Sequence, residues 1–269
     1  MGKAIVITSG KGGVGKTTST ANIGIALALM GKRVCLIDLD IGLRNLDVVL
    51  GLENRIMYDI LDVVNKKVKL FQALVKDKRF NDMLYLLPAA QSTDKNSLSE
   101  HQVKSIVDEI KMDFDYVFID CPAGIEQGFV NSIAGADGSI IVTTPEISAV
   151  RDADRVIGLL EKYSLKENPK LIINRIRPAI IEQGNAMDVD EITRHLGIEL
   201  LGIVLDDDKV ISTSNHGKSI VMDDNNKAAN GYRNIARRLE GETVPLMKIE
   251  RETKQGLWYR ISHLFGHDK

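Results

Sequence analysis

The chain has 269 residues, of which 44% are hydrophobic and 27% are charged, a composition typical of a globular protein with a sizeable core rather than of a disordered or fibrous one. Its formal net charge of -2 excludes the overall basic surface that drives non-specific binding to DNA. Cys35 and Cys121 lie too far apart for a Cys-x-x-Cys motif, which favours two buried thiols in a reducing compartment over a metal site.

Short apolar runs rich in β-branched residues alternate along the chain with longer segments of helical periodicity. Strands are predicted over residues 3–9, 33–38, 83–87, 115–120, 139–144, 171–174 and 198–205. Helices are predicted over residues 17–30, 58–64, 100–111, 148–163, 188–196 and 226–239. Because the strands are apolar throughout, both faces of the sheet should be covered by helices. The repeated strand–helix–strand order predicts an α/β fold with a doubly wound, mostly parallel sheet, in which ligands bind beyond the carboxyl ends of the strands.

A glycine-rich loop follows the first predicted strand and leads into the first helix. Residues 10–18 read Gly-Lys-Gly-Gly-Val-Gly-Lys-Thr-Thr, which matches the G-x-x-x-x-G-K-[ST] pattern of P-loop NTPases. Glycines let backbone N–H groups surround phosphates, and the following helix directs its positive end at them. We expect Lys16 to reach the β- and γ-phosphates of ATP, and the Thr17 hydroxyl to ligate Mg²⁺. A glycine turn without a ligand is the alternative.

Three aspartates stand where predicted strands end, at the same edge of the sheet as the glycine-rich loop. Asp120 closes the apolar run Tyr-Val-Phe-Ile, which is typical of a Walker B aspartate that acts on Mg²⁺ through its water shell. Asp38 and Asp40 end the second strand two residues apart, so they should point the same way while the chain stays extended. A single aspartate at such a position often only caps a helix. Three beside a phosphate loop favour a phosphoryl-transfer site.

The loop and three further segments resemble the deviant Walker A ATPases and, within that group, the MinD family. Residues 11–18 repeat the group's Lys-Gly-Gly-Val-Gly-Lys-Thr-Thr signature. Residues 40–47 and 120–126 are similar to the two switch segments of the MinD family, and residues 145–155 to a segment associated there with the dimer and its partner-binding surface. The resemblance covers essentially the whole chain. Iron–sulfur carriers and nitrogenase-type proteins of the same group need cysteines at positions that this chain fills otherwise.

The resemblance implies roles for individual residues. Lys11 would reach across a dimer to the partner's nucleotide, Asp40 would orient the attacking water, and Asp38 would support the metal. The implied catalytic residues are Lys11, Lys16, Asp40 and Asp38, and the implied metal-site residues are Thr17, Asp120 and Asp38. The implied nucleotide-binding residues are Lys11, Gly12, Gly13, Val14, Gly15, Lys16, Thr17, Thr18 and the adenine-contacting Asn174. The implied partner-binding residues are Asn45, Glu146, Ser148, Arg151, Asp152 and Asp154. Residues 205–208 depart from the family's Pro-Glu-Asp element, which leaves base contacts from that loop open.

An amphipathic helical pattern ends the chain after a break at residues 241–245. Its apolar residues fall at i, i+1, i+4, i+7 and i+8 and are Leu257, Trp258, Ile261, Leu264 and Phe265,. At about 1.5 Å per residue this helix is only ~15 Å long, so it can lie in a membrane interface but cannot cross the bilayer. Packing back on the domain is the alternative, and the resemblance implies a membrane-targeting helix. We predict an ATPase domain over residues 1–240, a linker over 241–253 and a membrane-binding tail over 254–269.

These features predict an ATPase that binds ATP with Mg²⁺, forms a homodimer with ATP and docks through its tail on an anionic membrane surface. The resemblance implies recruitment of the division inhibitor MinC, regulation in many bacteria by the activator MinE, control of septum placement, and no specific nucleic acid. We expect a cytoplasmic protein held peripherally on the cytoplasmic face of the membrane. Two alternatives stay open: a DNA-partition ATPase of the same superfamily, and a nucleotide-switched binding module with negligible turnover.

Overall fold

Strands and helices alternate along the chain as the sequence predicted. The computed structural model describes residues 1–91, 98–163 and 165–247. Its strands are β1 (Lys3–Thr8), β2 (Val34–Asp38), β3 (Val75–Lys76), β4 (Leu84–Leu87), β5 (Tyr116–Asp120), β6 (Gly138–Thr143), β7 (Lys170–Ile176) and β8 (Glu199–Leu205). Its helices are α1 (Lys16–Leu29), α2 (Leu46–Leu50), α3 (Ile60–Val64), α4 (Leu70–Ala73), α5 (Glu100–Ile110), α6 (Gln127–Ile133), α7 (Ile147–Leu160), α8 (Pro178–Glu182), α9 (Val189–Leu196), α10 (Asp208–Asn215) and α11 (Lys227–Leu239).

The strands form one sheet in the order β3-β4-β2-β5-β1-β6-β7-β8. Neighbouring strands are parallel except at the edge, where the short β3 runs antiparallel to β4. Strand β5 lies between β2 and β1, and β6 lies on the other side of β1. The carboxyl ends of β1, β2 and β5 are therefore adjacent, and the loops that follow them meet at one place. The predicted α/β class and the mostly parallel, doubly wound sheet are confirmed.

Two hydrophobic cores cover the two faces of this sheet. Alternate residues of β1 belong to different cores: Val6 packs with α5, α6, α7 and α9, whereas Ile7 packs with α1, α2 and α11. Every residue of β2, β5 and β6 is buried, because strands covered on both faces have no solvated side. Cys35 and Cys121 are buried free thiols in the first core, as expected.

Several elements were not predicted because they are too short to show a hydrophobic period. Helices α2 and α8 have five residues each, α4 has four and β3 has two. Helices α6 and α10 are longer, but α10 buries none of its residues and so carries no apolar stripe. Within the described residues, no helix has both the length and the apolar character needed to cross a bilayer.

A partly buried ion cluster lies at the amino ends of β1 and β6, opposite the glycine-rich loop. Asp137, just before β6, accepts hydrogen bonds from the Ala4 amide at 2.9 Å, the Lys111 ammonium at 2.5 Å and the Lys166 ammonium at 2.6 Å. Desolvation alone would raise the pKa of Asp137, but these three donors outweigh it and lower the pKa to about 2. The cluster ties the end of α5 to the start of β1, far from the candidate site.

Candidate nucleotide and metal site

The glycine-rich loop lies between the carboxyl end of β1 and the first turn of α1. Gly13 and Gly15 have φ values of +80° and +95°, a region that side chains disfavour. Gly15 is the N-cap of α1, and among the described residues no side chain caps that end of the helix. The first N–H groups of α1 are therefore suited to an anion. This geometry fits the phosphates of a nucleotide.

The two lysines of the loop occupy different environments. Lys16 is only 8% exposed, and its charge acts on the nearby Asp120 carboxyl group. Lys11 is exposed, and its ammonium group donates to the Ser148 hydroxyl on α7 at 3.2 Å. The loop also touches α7 at Gly10, where a Cβ atom would lie 2.1 Å from the Asp152 carbonyl oxygen. No local pattern in the sequence indicates this close approach between the phosphate loop and the segment predicted to bind partners.

Asp120 and Asp38 lie side by side at the ends of neighbouring strands. They are direct partners in the register of β5 and β2, and both are buried. The Thr20 hydroxyl lies 3.2 Å from Asp120 Oδ1. Burial raises the pKa of Asp38, and the charge of Asp120 raises it further. Burial likewise raises the pKa of Asp120, although hydrogen bonding to Thr17, the charge of Lys16 and hydrogen bonding to Thr20 oppose the shift.

In the part of the chain that the structure describes, two buried carboxylates lie here with one buried lysine, Lys16. A divalent cation would neutralise the remaining negative charge. Carboxylate and hydroxyl oxygens are the ligand types that Mg²⁺ prefers, and it usually takes few of them from a protein and the rest from water and phosphate. The predicted metal residues Thr17, Asp120 and Asp38 therefore meet at this point and fit Mg²⁺ chemically. Their assignment as ligands stays a prediction.

The chain turns directly after Asp38 instead of continuing as a strand through Asp40. Strand β2 ends at Asp38, and the chain then turns so that the Asp40 amide donates to Asp38 Oδ1 at 2.9 Å. The Leu46 amide donates to Asp38 Oδ2 at 3.1 Å. Asp38 is thus buried and holds both ends of the segment 40–46, whereas Asp40 is partly exposed. The chain therefore does not stay extended through Asp40, which was the condition of the prediction. The charge of Asp40 still raises the pKa of both Asp38 and Asp120, so its carboxylate lies near theirs.

A cavity of about 270 Å³ opens beside the phosphate loop and is large enough for a purine base. It is lined by Gly15, Thr18, Asn174, Arg175, Val204, Leu205, Asp206, Asp207, Val210, Ile211, Ser214, Asn215 and Tyr232. The predicted adenine contact Asn174 donates from Nδ2 to the Val14 carbonyl at 2.8 Å. A Cβ atom on Gly15 would lie 2.3 Å from that same nitrogen. One buried amide therefore joins the wall of the cavity to the phosphate loop.

The loop at residues 205–208, whose role the sequence left open, borders this cavity. The carboxylates of Asp206 and Asp207 are occupied elsewhere: Asp206 pairs with Arg177 at 2.6 Å, and Asp207 accepts from the Asn226 amide at 2.7 Å. The loop thus contributes to the wall of the cavity while two of its three aspartates serve its own structure.

The predicted partner-binding residues lie mainly on the surface. Asn45, Glu146, Ser148, Arg151 and Asp154 are exposed, and Asp152 is half-buried, with its carboxylate 3.3 Å from Arg155 Nη1. Sequence reasoning missed three exposed apolar side chains in the segments similar to family switches and partner surfaces: Leu43, Ile125 and Ile147 are 63%, 49% and 58% exposed. Exposed apolar groups of this kind are a common feature of interaction surfaces. The predicted membrane-binding residues lie outside the described residues.

The chain is similar to known proteins over nearly its whole length. The family model ParA, described as the NUBPL iron-transfer P-loop NTPase, matches residues 1–240. The septum site-determining protein MinD of Bacillus subtilis is 63% identical over 266 residues, which cover 99% of both chains.

Two solved structures are also similar. The MinD chain of the MinC:MinD cell division protein complex of Aquifex aeolicus is 49% identical, with a TM-score of 0.84, and the match covers 91% of this chain and 98% of that one. MinD of Pyrococcus horikoshii in complex with Mg-ADP is 28% identical, with a TM-score of 0.80, and the match covers 89% and 96% of the two chains. The chain thus belongs to the MinD family of septum site-determining ATPases, within the ParA-type P-loop NTPases.

Proposed function

We propose that this ATPase is a nucleotide-controlled membrane switch. It dimerises when it binds ATP with Mg²⁺, the dimer docks on the cytoplasmic face of the cell membrane through paired C-terminal tails, and it recruits a division inhibitor there. Hydrolysis separates the two copies of the dimer and releases them from the membrane. The observation that carries the proposal is the position of Lys11, an exposed lysine inside the phosphate loop whose ammonium group contacts α7 rather than its own phosphate site.

The phosphate site already contains a buried lysine, Lys16. The second lysine lies at the surface of the same loop and contacts Ser148 on α7. The exposed apolar residues Leu43, Ile125 and Ile147 lie in the segments that follow β2, β5 and β6. A second copy of the chain that covered these apolar groups would bring its own Lys11 towards the nucleotide of the first copy. Such a shared site makes hydrolysis depend on dimerisation, because each active site is complete only in the dimer.

Within the site, each group of the chain has a separate task. The backbone amides at the start of α1 and Lys16 bind and orient the phosphates. Mg²⁺, when bound by Thr17, Asp120 and the phosphates, supplies charge neutralisation at the phosphoryl oxygens. Asp40, partly exposed beside the buried Asp38, accepts a hydrogen bond from the attacking water and aligns it with the terminal phosphate. Lys11 from the partner stabilises the charge that develops there.

Membrane binding depends on the number of tails that one particle carries. One short amphipathic helix binds lipid weakly, comparable to the ~10⁴ M⁻¹ of a single short acyl anchor. Two tails on one dimer bind together and gain roughly 10²-fold or more in avidity. Arg238 donates to the carbonyls of Val244 and Pro245 at 2.9 and 2.8 Å, which holds these two residues against the end of α11. ATP-dependent dimerisation thereby becomes ATP-dependent membrane binding.

The partner proposal rests on the relatives and on the exposed surface. A MinD relative 49% identical to this chain forms a complex with MinC, and the exposed side of α7, with Ser148, Arg151 and Asp154, offers a polar surface for such a protein. We propose a MinC-like inhibitor as the partner and a MinE-like activator as the regulator in organisms that have one. No specific nucleic acid is part of the function.

Molar mass measured by light scattering tests the dimer directly. The full chain with Mg²⁺ and a non-hydrolysable ATP analogue should be dimeric, and with Mg²⁺ and ADP it should be monomeric. Lys11→Ala should stay monomeric with the analogue. Lys104→Ala, which removes a surface ion pair with Asp108 at 2.8 Å, should behave as the parent chain. A parent chain that stays monomeric with the analogue would overturn the proposal.

A further inference from the structure

Two glycines from distant parts of the chain meet behind the candidate site. Gly51 follows α2, and Gly217 follows α10 by two residues; both have positive φ values, +66° and +61°. A Cβ atom on Gly217 would lie 2.4 Å from the Gly51 Cα atom, and one on Gly51 would lie 2.8 Å from the Gly217 carbonyl oxygen. Neither residue can carry a side chain without separating the two segments. We call this contact the Gly51–Gly217 junction.

Arg79 fastens the junction from one side. Its guanidinium group donates from Nη1 to the Gly217 carbonyl at 2.7 Å and from Nη2 to the Leu50 carbonyl. The same group donates from Nε to Asp77 Oδ1 at 2.9 Å and from Nη2 to Asp77 Oδ2 at 2.6 Å. Asp77 is completely buried, so its carboxylate fixes the orientation of the guanidinium plane. A planar fork of this kind can bind two carbonyls and a carboxylate together, which a lysine cannot do.

The junction connects the base cavity to the segment 40–46. On one side, α10 supplies Val210, Ile211 and Ser214 to the wall of the base cavity and then leads to Gly217. On the other side, α2 begins at Leu46, whose amide donates to Asp38 at 3.1 Å. Asp38 in turn accepts from the amide of Asp40. A continuous chain of contacts therefore runs from the base cavity, through the junction, to the segment 40–46.

We propose that Arg79 is a positioning residue that couples occupation of the base cavity to the arrangement of the segment 40–46. The base acts on α10, the junction transmits the displacement to α2, and α2 sets where Asp38 holds the segment that contains Asp40. The nucleotide base thus contributes to the switch as well as to affinity. The proposal rests on the nucleotide site of the proposed function and is independent of the dimer and of the membrane.

A fluorescent reporter in the segment 40–46 of the full chain tests this coupling. Leu43→Cys places a thiol at an exposed position, and labelling is selective because both native thiols are buried, which raises the pKa of Cys121 to about 11 and that of Cys35 above its usual range,. ADP and inorganic pyrophosphate, each with Mg²⁺, present similar phosphates, but only ADP fills the base cavity. In the parent chain, saturating ADP should shift the reporter equilibrium roughly 2- to 30-fold beyond saturating pyrophosphate.

Arg79→Met should reduce the ADP response to the pyrophosphate level. Arg237→Met is the matched control, because the ion pair that Arg237 makes within the described residues is with Glu242 at the surface, and it should keep the full difference. A loss of fold stability would not by itself equalise the two ligands, so their difference separates coupling from a structural role. Equal responses to ADP and pyrophosphate in the parent chain, or an intact difference in Arg79→Met, would overturn the proposal.

A second variant keeps the test decisive if Arg79→Met, which leaves Asp77 buried and unpaired, folds poorly. Gly217→Ala pushes the junction apart without removing any charge and should also equalise the two ligands. Gly197→Ala is its control: Gly197 has a similar φ of +65° but nothing within 4 Å of an added Cβ atom. A Gly217→Ala chain that keeps the parent's difference between ADP and pyrophosphate would contradict the coupling.

Discussion

The contact between Gly15 and Asn174 predicts a specific non-additive pair of substitutions. Gly15→Ala places a Cβ atom 2.3 Å from Asn174 Nδ2 at a residue with φ +95°, so the amide must leave the Val14 carbonyl, to which it donates at 2.8 Å. Asn174→Ala removes the same hydrogen bond without straining the loop. Both single variants therefore lose one shared interaction, and only Gly15→Ala adds backbone strain.

The magnitudes follow from these two terms. A left-handed non-glycine residue costs about 1–2 kcal/mol, and a buried carbonyl left without its donor costs about 1–3 kcal/mol. Gly15→Ala should therefore lower the free energy of unfolding by about 2–5 kcal/mol and Asn174→Ala by about 1–3 kcal/mol. The double variant should again lose only about 2–5 kcal/mol, because the hydrogen bond is lost once, where independent effects would sum to about 3–8 kcal/mol.

Urea unfolding of the ligand-free chain, followed by circular dichroism, measures all four corners of this cycle. Gly31→Ala supplies the strain term alone, since Gly31 has a φ of +82° and nothing within 4 Å of an added Cβ atom. The double variant should match Gly15→Ala within roughly 0.5 kcal/mol. Additive losses would refute the reasoning, because they would mean that Asn174 does not hold the phosphate loop.

Three further outcomes are expected. Asp137→Asn should lower the free energy of unfolding by about 3–5 kcal/mol at neutral pH, because Lys111 keeps a buried charge without its carboxylate. The pKa of Asp137 is lowered to about 2 in the folded chain. The stabilisation by its carboxylate is therefore complete above the unfolded pKa of about 3.9 and is lost as the pH falls towards 2. Urea unfolding across this pH window should show that the free energy of unfolding falls less steeply with pH in the variant than in the parent chain. Asp120→Asn should abolish the Mg²⁺-dependent part of ATP affinity in calorimetry, and unchanged Mg²⁺ dependence would contradict its metal role. Leu43→Asp should prevent the ATP-dependent dimer in light scattering. Met112→Asp, at a residue 71% exposed against 63% for Leu43 but at the opposite edge of the sheet, should not.

The central part of the fold was predictable because its signals are local and strong. The fully buried strands β2, β5 and β6 appear in the sequence as continuous apolar runs, and the amphipathic helices α5 and α7 show a clear helical period. The phosphate loop was predictable for a related reason. Glycines followed by lysine directly after a buried strand are rarely needed for anything other than a phosphate site. Asp120 and Asp38 each end a predicted strand of a parallel sheet, so they were predicted to lie at the same edge of that sheet.

What the sequence did not reveal depends on contacts between distant residues. Nothing local indicates that Gly10 touches α7, that Gly51 meets Gly217, or that Arg79 bonds two carbonyls at once, since each partner lies many residues away. The turn after Asp38 was missed because two aspartates in an extended pattern look the same whether or not the strand continues. Exposure of Leu43 is likewise invisible in a pattern that counts every leucine as a candidate for the core.

Binding of the full chain to vesicles of anionic phospholipid, with Mg²⁺ and either ATP or ADP, tests most directly whether the nucleotide controls membrane attachment. A chain ending at residue 253, which lacks the predicted tail, is the matched control. Co-sedimentation should be strong for the full chain with ATP, weak with ADP, and absent for the shortened chain with either nucleotide. Equal sedimentation of the full chain with ATP and with ADP would contradict the coupling of nucleotide to membrane.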